Sequence, residues 1–111
     1  VNAELTMGEN IADLAGVAMA YKAYRLSLQG KEAPVIDGYT GDQRFFIGWA
    51  QGWARKYRDD DLRRRLLTDP HSPSEYRTNV IMSNLPEFYR AFDVKPGDKM
   101  YRAPADRVKI W

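Results

Sequence analysis

The sequence has no cysteine and a single histidine, His71, in 111 residues. The first absence excludes a disulfide framework, a thiolate metal site and a thiol nucleophile. The second means that any metal centre built on two histidines must take one from outside the chain. No apolar run approaches the ~20 residues needed to span a membrane as a helix. No internal repeat or low-complexity tract is visible. Charge of one sign is also lacking: 17 Lys and Arg against 15 Asp and Glu leave a net charge of +2. That balance does not indicate a nucleic-acid partner, and none is expected. What is present is a folding composition, 44% hydrophobic and 29% charged, over a length that suits one domain or part of one. A chain of this size buries roughly 65% of its unfolded surface, enough for one core. The sequence starts at Val1 with no basic stretch leading into an apolar one, and a helix signal follows at once. It reads as a piece of a longer polypeptide, residues 1–111 forming one unit, with any targeting signal upstream.

The dominant period is helical, and the expected fold class is all-α with an extended C-terminal tail. Thr6-Met7-Gly8-Glu9 fits a capping box, with Thr6 as N-cap and Glu9 at the third helical position. Behind it Ile11, Leu14, Ala18 and Tyr21 recur at helical steps and predict one buried face. Ala12, Ala15, Gly16 and Ala20 keep other parts of that helix thin, open to close packing. The pattern fades at Gln29-Gly30, and residues 30–39 read as a loop. Thr40-Gly41-Asp42-Gln43 is a second capping box. The helix after it carries Phe46, Trp49, Ala50, Trp53 and Tyr57, a stripe that reads as core rather than as a base-stacking platform. Asp59-Asp60-Asp61 followed by Arg63-Arg64-Arg65 suits the dipole of one short helix and reads as a solvated face rather than a basic patch. Ser72-Pro73-Ser74-Glu75 predicts a helix with Pro73 at its first position, running to about Ser83. Pro86 opens another helix, with Phe88 and Phe92. Lys95-Pro96-Gly97-Asp98 predicts a type II turn. The tail from Met100 to Trp111 is expected to be extended, with residues 107–111 the one stretch of strand-like pattern.

Few residues can carry chemistry. Glu9 and Asp13 stand four apart, hence on one helix face. Such a pair can serve a metal, one carboxylate binding it and the next orienting a neighbouring ligand; equally, Glu9 can complete the capping box and Asp13 can be a solvated acid of the first turns. Spacing leaves both open. His71 lies two residues after Asp69, which can hold one ring nitrogen and leave the other facing a substrate. The helix N-terminus beside it favours developing negative charge. Arg77, about one turn into that helix, can offer its fork to a carbonyl or carboxylate. Each signal alone is weak.

Taken in order, they are specific. Gly8-Glu9-Asn10-Ile11-Ala12-Asp13, followed by Asp69-Pro70-His71-Ser72-Pro73-Ser74-Glu75-Tyr76-Arg77, closely resembles the neprilysin family of zinc metallopeptidases, which includes the endothelin-converting enzymes and bacterial oligoendopeptidases. The resemblance spans the whole chain, including Phe45-Phe46, the aromatic-rich helix and the terminal aromatic. It implies the helical C-terminal part of a zincin-like catalytic domain, a catalytic zinc ion and peptide substrates. By resemblance, Glu9 matches the third protein ligand of the zinc. Asp13 matches the acid that hydrogen-bonds a zinc-bound histidine. His71 matches the histidine that stabilises the oxyanion, Asp69 the acid that orients it, and Arg77 the arginine that binds a substrate carbonyl on the primed side. One departure is decisive: the family's H-E-x-x-H motif, with two zinc histidines and the general base, is absent. In the family it lies upstream, so it belongs to the part missing here. The isolated piece is therefore expected to be inactive, to bind no zinc tightly, and to self-associate through the surface that the missing N-terminal part normally covers. The missing cysteines of animal members suggest a bacterial enzyme, for which an extracytoplasmic location, periplasmic or secreted, is favoured and a cytoplasmic one stays open. The alternative is a helical module of the same ancestry that binds a protein partner without catalysis.

Overall fold

The computed structural model describes residues 1–110, so the terminal aromatic, Trp111, and the end of the strand-like stretch at 107–111 lie outside the described residues. The chain is all-α: α1 (Ala3–Ser27), α2 (Gly41–Gly52), α3 (Asp59–Thr68), α4 (Ser74–Met82) and α5 (Pro86–Phe92), with a 3₁₀ turn at Pro104–Asp106. No strand occurs among the described residues. Ile36 and Tyr39 exchange hydrogen bonds of 3.0 and 3.0 Å around Asp37-Gly38, both with positive φ, the mark of a tight hairpin turn.

α1 starts earlier than the capping signal predicts. Asn2 is the N-cap, its Oδ1 accepting from the N–H groups of Glu4 (3.1 Å) and Leu5 (3.3 Å). Thr6 is therefore helical, and its hydroxyl donates to the Asn2 carbonyl at 3.0 Å. The Thr6–Glu9 capping box does not form, because an asparagine four residues upstream caps the helix first. The buried face also turns slightly from the predicted one. Leu14 and Val17 are buried and Tyr21 is half-buried, whereas Ile11 is 45% exposed. It borders a groove with Met7, Tyr76, Val80 and Val108, of about 500 Å³.

The Thr40–Gln43 capping box is present as predicted. Gly41 is needed there: a Cβ would meet the Tyr24 hydroxyl and sit 2.6 Å from the Cβ of Ala33. α2 ends at Gly52, so Tyr57 falls beyond the helix, in the segment leading to α3. The first part of the stripe, Phe46, Trp49 and Ala50, is core as expected, whereas Trp53 and Tyr57 lie outside it. Phe46 is 1% exposed, stacked on Tyr21 (5.8 Å) and edge-on to Phe88 (5.6 Å). With Leu14, Val17, Ile81, Met82 and Leu85 it forms the core of the described residues, on which α1 packs against α4, and α2 against α4 and α5. Burial of a phenylalanine side chain contributes roughly 1.5–3 kcal/mol.

α3 buries none of its residues, as its charge run suggests. α4 begins one residue later than predicted, with Pro73 as N-cap and no side-chain cap. The predicted cap residue, Ser72, is diverted: its hydroxyl donates to Asn10 of α1 at 2.8 Å. The type II turn forms, with Gly97 at φ 99° and Asp98 N–H bonded to the Lys95 carbonyl at 3.0 Å. The tail is extended only in part, being broken by the 3₁₀ turn. The Tyr89 hydroxyl gathers it, accepting from Arg102 N–H at 2.6 Å and donating to the Ser83 carbonyl at 2.8 Å. Asn84 Oδ1 accepts from Val108 N–H at 2.8 Å.

Candidate active site

Two elements bring the chemistry together. α1 carries Glu9 and Asp13 one turn apart, and the segment 69–77 carries Asp69 and His71 in the turn before α4 and Arg77 within it.

Asp13 is buried at 7% exposure, which removes its reading as a solvated acid. Arg77 grips it with both prongs of its fork, Nε to Oδ2 at 2.7 Å and Nη2 to Oδ1 at 2.9 Å. The guanidinium carbon lies over Trp53, 3.8 Å from the ring centroid, and Trp49 Nε1–H donates to the Arg77 carbonyl at 3.0 Å. Hydrogen bonding to Asp13, outweighing burial, holds the Arg77 guanidinium above its ordinary pKa. Nη1 keeps donors for a ligand.

Asp69 Oδ1 accepts from the backbone N–H of His71 at 2.9 Å and meets its Nδ1 at 2.8 Å. A carboxylate accepts only, so Nδ1 carries the proton and donates. These two bonds, first the backbone one, hold the Asp69 carboxyl below its usual pKa. The ring's other nitrogen, Nε2, faces Glu9 Oε2 at 3.4 Å, close but outside good hydrogen-bond geometry. Glu9, released from any capping box, keeps a side chain 45% exposed. The sequence-predicted residues thus form two pairs, Asp13–Arg77 and Asp69–His71, with Glu9 at the open nitrogen of the second.

Several supporting residues carry no functional signal in the sequence. Trp49 and Trp53, members of the aromatic stripe, hold Arg77. Asn10 and Ser72 join the two site segments. Tyr57 lies beneath, its hydroxyl 2.8 Å from Ser74 Oγ and accepting from Ser74 N–H at 3.2 Å. Burial pushes the Tyr57 pKa up, but those hydrogen bonds and the nearby Arg55 and Arg65 bring it below its ordinary value. Asn10 and Ser72 lie within the two motif strings, next to Glu9 and His71, but nothing in the sequence pairs them with each other.

The donors fit part of a zinc site. Glu9 offers one accessible carboxylate, a suitable ligand type. No group of three or more His, Cys, Asp or Glu side chains is gathered to hold a metal among the described residues. A site with three protein ligands would need two from outside the chain.

The profile of peptidase family M13 matches residues 1–108. Neprilysin-1 of Caenorhabditis elegans is 41% identical over 116 residues, which cover 100% of this chain and 15% of that protein. The neutral endopeptidase of Lactococcus lactis subsp. lactis is 40% identical over 110 residues, 99% of this chain and 16% of that protein. The crystal structure of the Mycobacterium tuberculosis zinc metalloprotease Zmp1 in complex with an inhibitor superimposes with a TM-score of 0.98 at 52% identity, over 100% of this chain and 17% of that one. The chain therefore spans 15–16% of the length of these two curated relatives. With a profile matched over nearly its whole length and such likeness in sequence and fold, the chain belongs to peptidase family M13, the family of neprilysin and the endothelin-converting enzymes.

Proposed function

We propose that the chain is the C-terminal part of the catalytic domain of a zinc endopeptidase that cleaves oligopeptides, and that it is inactive without the remainder. The observation that carries this reading is the meeting of residues 64 positions apart, Asp13 and Arg77, beside the Asp69–His71 pair with its free nitrogen turned to Glu9. Family membership supports the same chemistry.

Zinc, when bound, supplies a Lewis acid for the scissile carbonyl and a water of lowered pKa. Glu9 is the one ligand that this chain offers it. The other ligands and the general base come from the upstream H-E-x-x-H segment. Asp13 keeps lone pairs beyond those used by Arg77 and accepts a hydrogen bond from a ligand histidine, fixing that ring. His71 donates from Nε2, in its protonated form, to the peptide oxygen as that atom gains negative charge, and Asp69 fixes the ring and offsets its charge. Arg77 binds a substrate carbonyl through Nη1. Its orientation is settled beforehand by Asp13 and Trp53, so little rotamer entropy is lost on binding.

The remainder of the parent protein is the expected partner. It would cover the apolar groove around Ile11 and Val80 and the thin face of α1, where Ala12 and Gly16 are exposed and a Cβ at Gly16 would meet nothing. The test is metal content and turnover of the complete protein. Glu9→Val should lose zinc and activity together. Asp13→Ala should keep a weakened site, about 10–100-fold down in affinity or activity. Full zinc occupancy in Glu9→Val would remove the ligand assignment.

A further inference from the structure

We propose that Arg65 is a positioning residue for His71, acting through Asp69; this rests on the peptidase reading above. The hydrogen bonds of the His71 backbone N–H and of its Nδ1 both end on one atom, Asp69 Oδ1. The ring therefore takes its orientation from that carboxylate. A carboxylate held by one oxygen still turns about its terminal torsion, which is broad and shallow. Here the second oxygen is held too: Arg65 Nη1 donates to Asp69 Oδ2 at 3.2 Å.

Arg65 is itself anchored from two sides. Its Nε donates to Asp61 Oδ2 at 2.8 Å, and its guanidinium lies over the Tyr57 ring, 5.7 Å from the centroid. Tyr57 is bonded in turn to Ser74 at the start of α4. The planar fork is what lets one side chain hold two carboxylates at set angles. Its neighbours do not share the task. Arg64 pairs with Asp61 and Arg63 with Asp60 at a loose 3.8 Å, both arginines being largely exposed. Of the run Arg63-Arg64-Arg65, only Arg65 reaches the site, so a residue that reads as part of a solvated charge run is the back wall of the His71 support.

The test is steady-state kinetics on the complete peptidase. Arg65→Ala, Arg65→Gln and Arg65→Lys are compared, each alone and combined with Asp69→Ala, with His71→Ala as reference. Arg65→Ala and Arg65→Gln should lower kcat on the order of tenfold with KM nearly unchanged, since the ring acts on charge present only in the transition state. Arg65→Lys should recover part of kcat. In the Asp69→Ala background the Arg65 changes should cost nothing further. A loss equally large in that background would make Arg65 a structural residue of α3 and overturn the proposal, as would a change confined to KM. Arg65→Gln keeps the stem and decides the matter if Arg65→Ala does not fold. If His71→Ala leaves kcat intact, the role of His71 itself fails and takes the inference with it; if His71→Ala lowers kcat but the Arg65 and Asp69 effects add, only the inference fails.

Discussion

Ser72 and Asn10, 62 residues apart in the chain, share a 2.8 Å hydrogen bond. Each is the immediate neighbour of a proposed site residue, Ser72 of His71 and Asn10 of Glu9. Ser72 is buried, and Asn10 is braced within α1 by donating from Nδ2 to the Thr6 hydroxyl at 3.2 Å. The bond thus sets the distance between the two segments that carry the chemistry.

Asn10→Ala leaves a buried hydroxyl without its acceptor, which should cost about 1–3 kcal/mol of stability. Ser72→Ala should cost less, since Asn10 is less deeply buried and can turn to solvent. Because both changes remove the same bond, the double variant should be less destabilised than the sum of the singles, with a coupling of about 0.5–3 kcal/mol. Chemical denaturation of the four proteins measures it. Strict additivity would mean that the bond joins nothing.

In the complete enzyme, His71 and Arg77 should separate kinetically. Loss of His71 removes an interaction made in the transition state, so kcat should fall on the order of 10²–10³-fold with little change in KM. Loss of Arg77 removes a grip on a carbonyl present before and during reaction, so KM should rise more than kcat falls. Arg77→Lys should not fully rescue, because an ammonium lacks the fork that meets both Asp13 oxygens. Asp13→Ala should share part of the Arg77 phenotype, since it frees the guanidinium from its 2.7 and 2.9 Å contacts. Neither His71→Ala nor Arg77→Ala should release zinc; zinc loss from His71→Ala would make that residue a ligand.

The 111-residue chain alone should neither cleave peptides nor hold zinc with sub-micromolar affinity, as one carboxylate falls short of three protein ligands. It should also self-associate, because Met7, Ile11, Met19 and Val80 are all more than 40% exposed, and exposed apolar surface of this kind marks an interaction site. Calorimetry with zinc and light scattering over a range of concentrations test the two statements. A strictly monomeric species at high concentration would count against a missing covering part.

Acid should loosen the corner between α3 and α4. Hydrogen bonds from Arg64 and Arg65 hold the Asp61 carboxyl below its ordinary value of 3.8, and His71 does the same for Asp69. A carboxyl depressed in the folded state contributes stability that is fully present above the unfolded pKa and is lost as pH falls through the folded one. Asp61→Asn should therefore lower Tm at pH 7 but leave it unchanged well below pH 3.8. Thermal melts of both proteins at the two pH values check this; an equal difference at both would place the effect elsewhere.

What could be read from the sequence was local or covered by long motifs. The Thr40–Gln43 box, Pro86 opening α5, the Gly97 turn and the all-α class all follow from preferences acting over a few residues. Glu9, Asp13, Asp69, His71 and Arg77 stood out because their neighbours form two long strings in a family's order. The rest required the fold. Whether Thr6 or Asn2 caps α1 is a contest between two good caps, and Asn2 winning is what leaves Glu9 unbonded by a capping box. Ser72 exchanges a predicted local role for a bond across 62 residues, and Arg65, while still paired with Asp61 of its charge run, also holds Asp69. A hydroxyl or guanidinium has several partners of similar strength, each worth about a kilocalorie per mole or less at an exposed site. Local pattern alone cannot choose among them. For Ser72 the packing of α1 against α4 chose, by bringing Asn10 within bonding distance; Arg65 meets Asp61 and Asp69 at helical spacing, and the turn before α4, which sets Asp69 against His71, gives that local pair its place in the site.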